Sequence, residues 1–359
     1  MFFSSLIGID FGSSNLKLVE LRGKGRRKLF RLGLQPINQD SILGGVVNDE
    51  EGVSKSLAAL VKRMGIATFG RRVALSLGGT SVIIKKIEVE TNINKTDLAD
   101  QVFYEAQQHF QDDFDNTYYT HYKMPPLLPG NPTSPVLLVG AKSSVVEQYI
   151  KIIRSVGLRV GVIDCDVFCL SNMFEYNYGV SNSLSALINV GSSFTQIILI
   201  ANGQFLFTRD ISLGSHEYTR HIAEQLGRDS KIAEEIKVEC VINPHENPVS
   251  PEVQKIFRDL NDQLVNELKL TIDYYLQSGE APAEFTQIGQ VFLIGGGALT
   301  LGLDIAVAAA LQVPVRILDP FYNVLRAGSL KGDGITLSRC PTSFGVAVGL
   351  ALRQLNDNQ

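Results

Sequence analysis

The sequence predicts an α/β protein assembled from two copies of one unit, with a small α+β insertion in the first copy. Three observations carry this. The stretch "GIDFGSSNLKLVEL" has a counterpart in "ALINVGSSFTQIIL": each has an apolar run, one polar residue (Asp10 or Asn189), Gly-Ser-Ser and a second apolar run. The strand-like trio "SLIGID", "LKLVEL" and "KLFRLGL" is mirrored from position 183 by "SLSALINV", "FTQIILIA" and "GQFLFTRDIS". Finally, "VFLIGGGALTLGLDIAVAAAL" reads as a strand, a glycine turn and a helix. Repetition of a whole α/β unit marks an internal duplication, and 359 residues exceed what one core usually serves.

The elements follow in order. "RGKG" is the turn between the second and third strands. "SKSLAALVKRMG" places Leu57, Leu60, Val61 and Met64 on one helical face that ends at Gly65. "RRVALSL" and "SVIIKKIEVE" are strands. "NKTDLADQVFYEAQQHFQDDFD" is an amphipathic helix with Leu98, Val102, Phe103, Ala106 and Phe110 on its apolar face. A polar, aromatic strand follows, then "MPPLLPGNPTSP", whose five prolines mark a surface excursion. Residues 78–136 are read as the inserted subdomain. "PVLLVGA" and "SSVVEQYIKIIRSVGL" return to strand and helix, and long helical stretches are expected at about 215–239 and 252–278. "TSFGVAVGLALRQL" reads as a helix crossing back to the first half. The expected organisation is a first lobe of 1–170, completed by 340–359, and a second lobe of 171–339.

Composition excludes several classes. A net charge of −4 gives no electrostatic case for bulk nucleic-acid binding. No apolar run reaches the roughly 18 residues of a membrane helix, and "MFFSSLIGIDFG" lacks the basic leader of a signal peptide. Cys165, Cys169, Cys240 and Cys340 lack zinc-type spacing, and the Cys165/Cys169 pair reads as core in a reducing cytoplasm. The five histidines are scattered without metal-ligand spacing and are read as structural.

A tight turn of small residues exposes backbone N–H groups, and glycine lets the backbone approach an anion. Two such turns across a cleft would clasp a polyphosphate, and "GGGA" before a helix would take an adenine or ribose against bare backbone.

These motifs resemble those of the actin-like ATPase superfamily, which includes sugar kinases, heat-shock chaperones, actin and FtsA. Nearly the whole chain resembles most closely the PilM family of type IV pilus assembly proteins, above all through "VPVRILDPF" after the glycine turn. The resemblance implies a duplicated actin-like (ribonuclease H-like) bilobed fold that binds ATP and Mg²⁺. Asp10 would hold hydrated Mg²⁺. Gly12, Ser13 and Ser14 would form the first phosphate turn, Lys17 would contact phosphate, and Gly191, Ser192 and Ser193 would form the second turn. "AEEIK" resembles the helix that contacts the nucleoside, through Glu234 and Lys237, and Gly295, Gly296 and Gly297 would pack on the adenosine. Two departures bear on turnover. Asn189 stands where the superfamily has an aspartate, and it can neither accept a proton nor supply charge to the metal. Asp166 stands where the first connecting helix has a longer glutamate or glutamine that orients water.

Local alternatives stay open for these residues. Asp10 would also serve as a turn cap, Lys17 as a surface cation, Glu234 and Lys237 as a solvated helix face, and Asp166 as a helix cap. "RGKGRRKLFR" is a solvated hairpin tip or a contact with anionic lipid. The insertion's aromatics (Phe103, Phe110, Phe114, Tyr118, Tyr119, Tyr122) form its core or a docking groove.

The functional expectation is a cytoplasmic nucleotide-binding scaffold, peripheral at the inner membrane. It would dock the N-terminal cytoplasmic peptide of a bitopic partner such as PilN, with slow or absent hydrolysis. One alternative is an active ATPase or small-molecule kinase of the same fold, although no sugar-kinase aspartate motif is found. The other is an FtsA-like division protein, although "RQLNDNQ" does not read as a basic amphipathic membrane helix.

Overall fold

The structure is a computed structural model that describes residues 6–23, 25–126, 130–242, 250–282, 284–332 and 334–355. Apolar runs make β1 (Ile7–Phe11), β2 (Asn15–Arg22) and β3 (Lys28–Pro36) an antiparallel meander. A small hairpin of β4 (Ile42–Leu43) and β5 (Val46–Val47) leads into α1 (Glu50–Arg63). The Asp49 side chain caps α1 by accepting from the Gly52 N–H, and the expected face of Leu57, Leu60, Val61 and Met64 is buried. β6 (Arg72–Leu77) then lies parallel to β1.

The insertion comprises β7 (Val82–Glu90), α2 (Lys95–Phe110), β8 (Thr117–Lys123) and β9 (Thr133–Lys142), in the strand order β7-β9-β8. Val102, Ala106 and Phe110 of α2 cover Ile87, Val89, Val136 and Leu138. The sequence places the end of this insertion near 136. Instead β9 runs to Lys142 as the central strand and pairs with both neighbours, so the insertion closes where the next helix begins. An apolar strand reads alike in either sheet, and only its partners assign it. Phe103, expected on the buried face, is 47% exposed and sits edge-on to Phe114. Residues 127–129 of the proline loop lie outside the described residues.

α3 (Ser143–Ser155) leads to β10 (Arg159–Cys165), which pairs parallel with β6 at one edge of the first sheet, and α4 (Asp166–Tyr178) leads to the second lobe. There β11 (Ser185–Val190), β12 (Thr195–Ala201) and β13 (Gln204–Ile211) repeat the meander. The helical stretch from 215 is two helices, α5 (Ser215–Leu226) and α6 (Ser230–Ile242), separated by Gly227 in the left-handed region. α7 (Pro251–Gln277) starts from a Ser250 cap with proline in its first turn. β14 (Gln290–Ile294), α8 (Leu303–Leu311) and β15 (Val315–Ile317) finish the second sheet. The orders β10-β6-β1-β2-β3 and β15-β14-β11-β12-β13 are the same path walked twice. This is the duplicated bilobed α/β fold that the repeats imply.

Two expected boundaries move. β16 (Leu325–Gly332) pairs parallel with β3, so the chain rejoins the first lobe from Leu325 rather than from 340. Its register slips between Arg326 and Lys331, which breaks the alternation that would have revealed it. The cut between 170 and 171 falls inside α4. After α9 (Gly334–Arg339), α10 (Gly345–Leu352) packs on β1 and β2 and crosses α4. A Cβ on Gly349 would sit 2.0 Å from the Cys169 carbonyl oxygen, so glycine permits this crossing. Cys165, Cys169 and Cys240 are buried, and all four thiols are free. Residues 356–359 and His245 lie outside the described residues.

Candidate functional site

The two meanders aim their first turns at each other. In the first lobe the β1–β2 register sets Asp10 opposite Lys17, and Lys17 Nζ donates to Asp10 Oδ2 at 3.0 Å. In the second, the same register pairs Asn189 with Gln196, a neutral couple. Gln196 is buried and donates from Nε2 to Asp210 Oδ1 on β13 at 3.0 Å. The second lobe thus carries its carboxylate on the neighbouring strand rather than on the turn strand.

The turns meet directly: Ser14 Oγ donates to Ser192 Oγ at 2.6 Å. A second link joins the lobes, with Gln39 Nε2 and His216 Nε2 3.1 Å apart. The start of α5 is fixed onto the second turn, since the Ser215 and His216 N–H groups donate to the Gly191 and Ser192 carbonyls at 2.8 and 2.9 Å. Lys237 reaches the same place from α6, donating to Ser215 O at 3.1 Å and Thr219 Oγ1 at 2.9 Å. It also pairs with Glu234 Oε2 at 2.7 Å, which in turn accepts from the Thr219 hydroxyl. Lys237 is therefore partly buried against the site, while Glu234 stays half-exposed on its rim.

The glycine turn after β14 divides its work. Gly295, at φ 93°, would place a Cβ 2.4 Å from the Val190 carbonyl oxygen. A Cβ on Gly297 would lie 2.5 Å from Val190 Cγ1 and 3.0 Å from Ser215 Cβ. These two glycines seat the turn on β11 and α5. A Cβ on Gly296 would meet only Ser343 Cβ at 4.0 Å, so its backbone faces open space. Of the three, Gly296 alone is free to face a ligand.

Asp166 opens α4, and its carboxylate presses on the turn after β6, where a Cβ on Gly78 would fall 2.0 Å from Oδ2. Burial pushes its pKa up to about 7; the charge of Asp10 adds to this, the Ser76 hydroxyl and Lys17 oppose it, and Asp210 adds a smaller push.

The structure thus gathers Asp10, Lys17 and Asp166 at the base of the first turn. It gathers Gly191, Ser192, Gly297 and Lys237 around the start of α5. Sequence reasoning missed Gly78, Gln39, Asp210 and His216. Gly78 follows a strand without a motif, and the other three acquire meaning only when distant segments pair. His216 in particular joins the two lobes, which no metal-ligand spacing would have signalled.

A family model described as type IV pilus assembly protein PilM matches residues 8–355. Among solved structures, a chain of a PilM–PilN type IV pilus biogenesis complex superposes with a TM-score of 0.83 at 21% identity, covering 99% of both chains. Ethanolamine utilization protein EutJ from Carboxydothermus hydrogenoformans gives 0.57 at 15% identity, covering 97% of this chain and 89% of that one. MreB5 of Spiroplasma citri bound to AMPPNP gives 0.54 at 13% identity, covering 96% and 94%. The fold is actin-like.

Proposed function

The chain belongs to the family of type IV pilus assembly protein PilM, and we propose that it is an actin-like scaffold that holds ATP with Mg²⁺ between its lobes. It turns the nucleotide over slowly and docks the N-terminal cytoplasmic peptide of a bitopic, PilN-like membrane partner. The observation that carries the nucleotide reading is the Ser14–Ser192 contact, which sets two Gly-Ser-Ser turns face to face above Asp10. The residues present fit the ligand. The turns of Gly12, Ser13 and Ser14 and of Gly191, Ser192 and Ser193 would offer N–H and hydroxyl donors to phosphates. Lys17 would be shared between Asp10 and the phosphates. Gly296 would lie against the adenosine, with Gly295 and Gly297 fixing the turn and Lys237 and Glu234 flanking the nucleoside. Among the described residues no three His, Cys, Asp or Glu side chains come together as a metal site. Asp10 would therefore hold Mg²⁺ through the ion's own water shell, as this hard cation prefers. Bound Mg²⁺ supplies charge neutralisation of the phosphates. Asn189 withholds a second carboxylate, which favours holding over cutting. One feature favours the alternative of an active ATPase: burial and the charge of Asp10 push the Asp166 pKa up to about 7, toward the range that suits a general base.

The partner reading rests on family membership and on the inserted sheet. The insertion's aromatics divide between core and surface. Phe110 is core, whereas Tyr118 and Tyr122 project from the face opposite α2, in register with Ala141 and Leu137 of β9. Tyr122 is 65% exposed. Among the described residues no helix is long and apolar enough to cross a membrane, and attachment at the inner membrane would go through the partner. Replacing Tyr118 and Tyr122 together by serine is expected to weaken binding of the partner's N-terminal peptide by about tenfold or more, as exposed tyrosine anchors do. The melting temperature should not change. Fluorescence anisotropy with the labelled peptide reads this, and unchanged affinity would place the groove elsewhere.

A further inference from the structure

We propose that the end of the first lobe opposite the nucleotide site docks on an anionic lipid bilayer. β1 carries Asp10 toward the site, so its Ile7 end, the Arg22 end of β2 and the first residues of β3, β6 and β10 converge at the far end. The segments 22–28, 62–72 and 154–159 connect the elements there. Their described residues, all but position 24, include ten of the chain's 33 lysines and arginines and no aspartate or glutamate, in a chain of net charge −4. The far end is thus a concentrated positive surface on an acidic protein, which composition alone conceals.

The three segments touch. The Arg159 N–H donates to the Arg71 carbonyl at 3.0 Å, and Arg159 lies opposite Arg72 in register. A Cβ on Gly157 would meet Thr68 Oγ1 at 3.1 Å. Arg71 and Arg22 each reach Glu20 Oε1 at 2.7 Å, and Arg31, held on Glu20 Oε2, donates to the Met64 carbonyl. Glu20 is fully buried and shared among three arginines, so it offsets one of their charges and leaves the cluster net positive. Among the described residues Arg72, Arg154 and Arg159 have no ion-pair partner. Arg154 and Arg159 rim an open groove of about 610 Å³ whose other walls include Ile150, Leu158 and Val160.

The second observation is Phe69, which is 100% exposed between these cations. It makes no contribution to the core, and Gly70 beside it adopts φ 68°. Cations spread across three loops around one exposed aromatic suit a planar surface of anionic headgroups into which the ring inserts. An acidic protein segment would be matched by a narrower row of cations. A single-stranded nucleic acid would be matched by several stacking rings rather than one. This inference stands independently of the nucleotide and partner readings.

The test is co-sedimentation of the full chain with vesicles of phosphatidylcholine, with and without about 30 mol% phosphatidylglycerol, at low salt. The expected result is at least about tenfold stronger retention on the anionic vesicles, with release at about 0.5 M salt, where the Debye length is a few ångströms. Arg154→Glu with Arg159→Glu should lower retention about tenfold, and Phe69→Ser several-fold, with unchanged melting temperatures because all three side chains are exposed. Equal retention on neutral vesicles, no retention on anionic ones, or indifference to the arginine pair overturns the proposal. Binding to polyglutamate or to duplex DNA as strong as that to the anionic vesicles also overturns it, since the face would then be a general polyanion site.

Discussion

Gly296→Asp is expected to abolish the rise in melting temperature that the proposed Mg²⁺–ATP site predicts for the wild-type chain. A ligand that binds only the folded state at about one hundred times its Kd stabilises it by about 2.7 kcal/mol, and the variant loses all of that. The substitution is informative because the ligand-free protein accommodates it: the nearest atom to a new Cβ is Ser343 Cβ at 4.0 Å. A carboxylate would stand where the adenosine packs, adding bulk and negative charge near the phosphates. Gly295→Ala is the contrasting variant. At φ 93°, with the Val190 carbonyl oxygen 2.4 Å from its Cβ, it should destabilise the fold itself. Differential scanning calorimetry with and without Mg²⁺–ATP separates the two, and a full ligand shift in Gly296→Asp would show that the glycine turn does not face the nucleotide.

Glu20→Gln costs about 3–5 kcal/mol of folding stability, the cost of removing one partner from a buried ionic cluster. Burial alone would raise the pKa of Glu20. The hydrogen bonds from Arg22 and Arg31 and the charge of Arg71 outweigh that and hold it below the usual glutamate value. The sign follows from linkage. With the folded-state pKa depressed, the stabilisation is complete above the unfolded pKa of about 4.5 and is lost as pH falls through the lower folded value. Urea melts should therefore show a wild-type advantage that is full at pH 7 and shrinks in acid below about pH 4. Arg22 also lies 3.4 Å from the Phe30 ring centre, so the variant loosens packing as well as charge. A loss below about 1 kcal/mol at pH 7 would mean that the arginines find other partners or water.

Much of this was legible before the fold was seen, for identifiable reasons. The duplicated Gly-Ser-Ser turns are local: a strand, a turn of small residues and a strand need only adjacent residues to declare themselves. Asp10, Lys17, Asn189 and the three glycines could therefore be placed by number. β16 was not legible because a register slip hides its alternation, and the true extent of the insertion was not because β9 is apolar in any sheet. Phe103 looked buried by helical spacing, yet it lies at the margin of the α2 face, where Phe114 covers only its edge. His216, Gln39 and Asp210 carry no motif, and their roles come from contacts between segments far apart in the chain. The basic far end was legible only as the hairpin "RGKGRRKLFR". The cations of 62–72 and 154–159 join it through strand order, which one stretch of sequence does not reveal.

A scaffold of the kind proposed would hold ATP between its lobes without readily cutting it. Single-turnover analysis tests this most directly: chain in excess over Mg²⁺–ATP, quenched over time, with bound nucleotide separated into ATP and ADP. ATP should be retained and recovered intact over many minutes, whereas a typical enzyme turning over at about 10 s⁻¹ would have consumed it within a second. Asn189→Asp, which restores a carboxylate at the second turn, should speed release of phosphate. Complete wild-type conversion within seconds, unaltered by that substitution, would contradict the claim and make Asp166 the residue of a working ATPase.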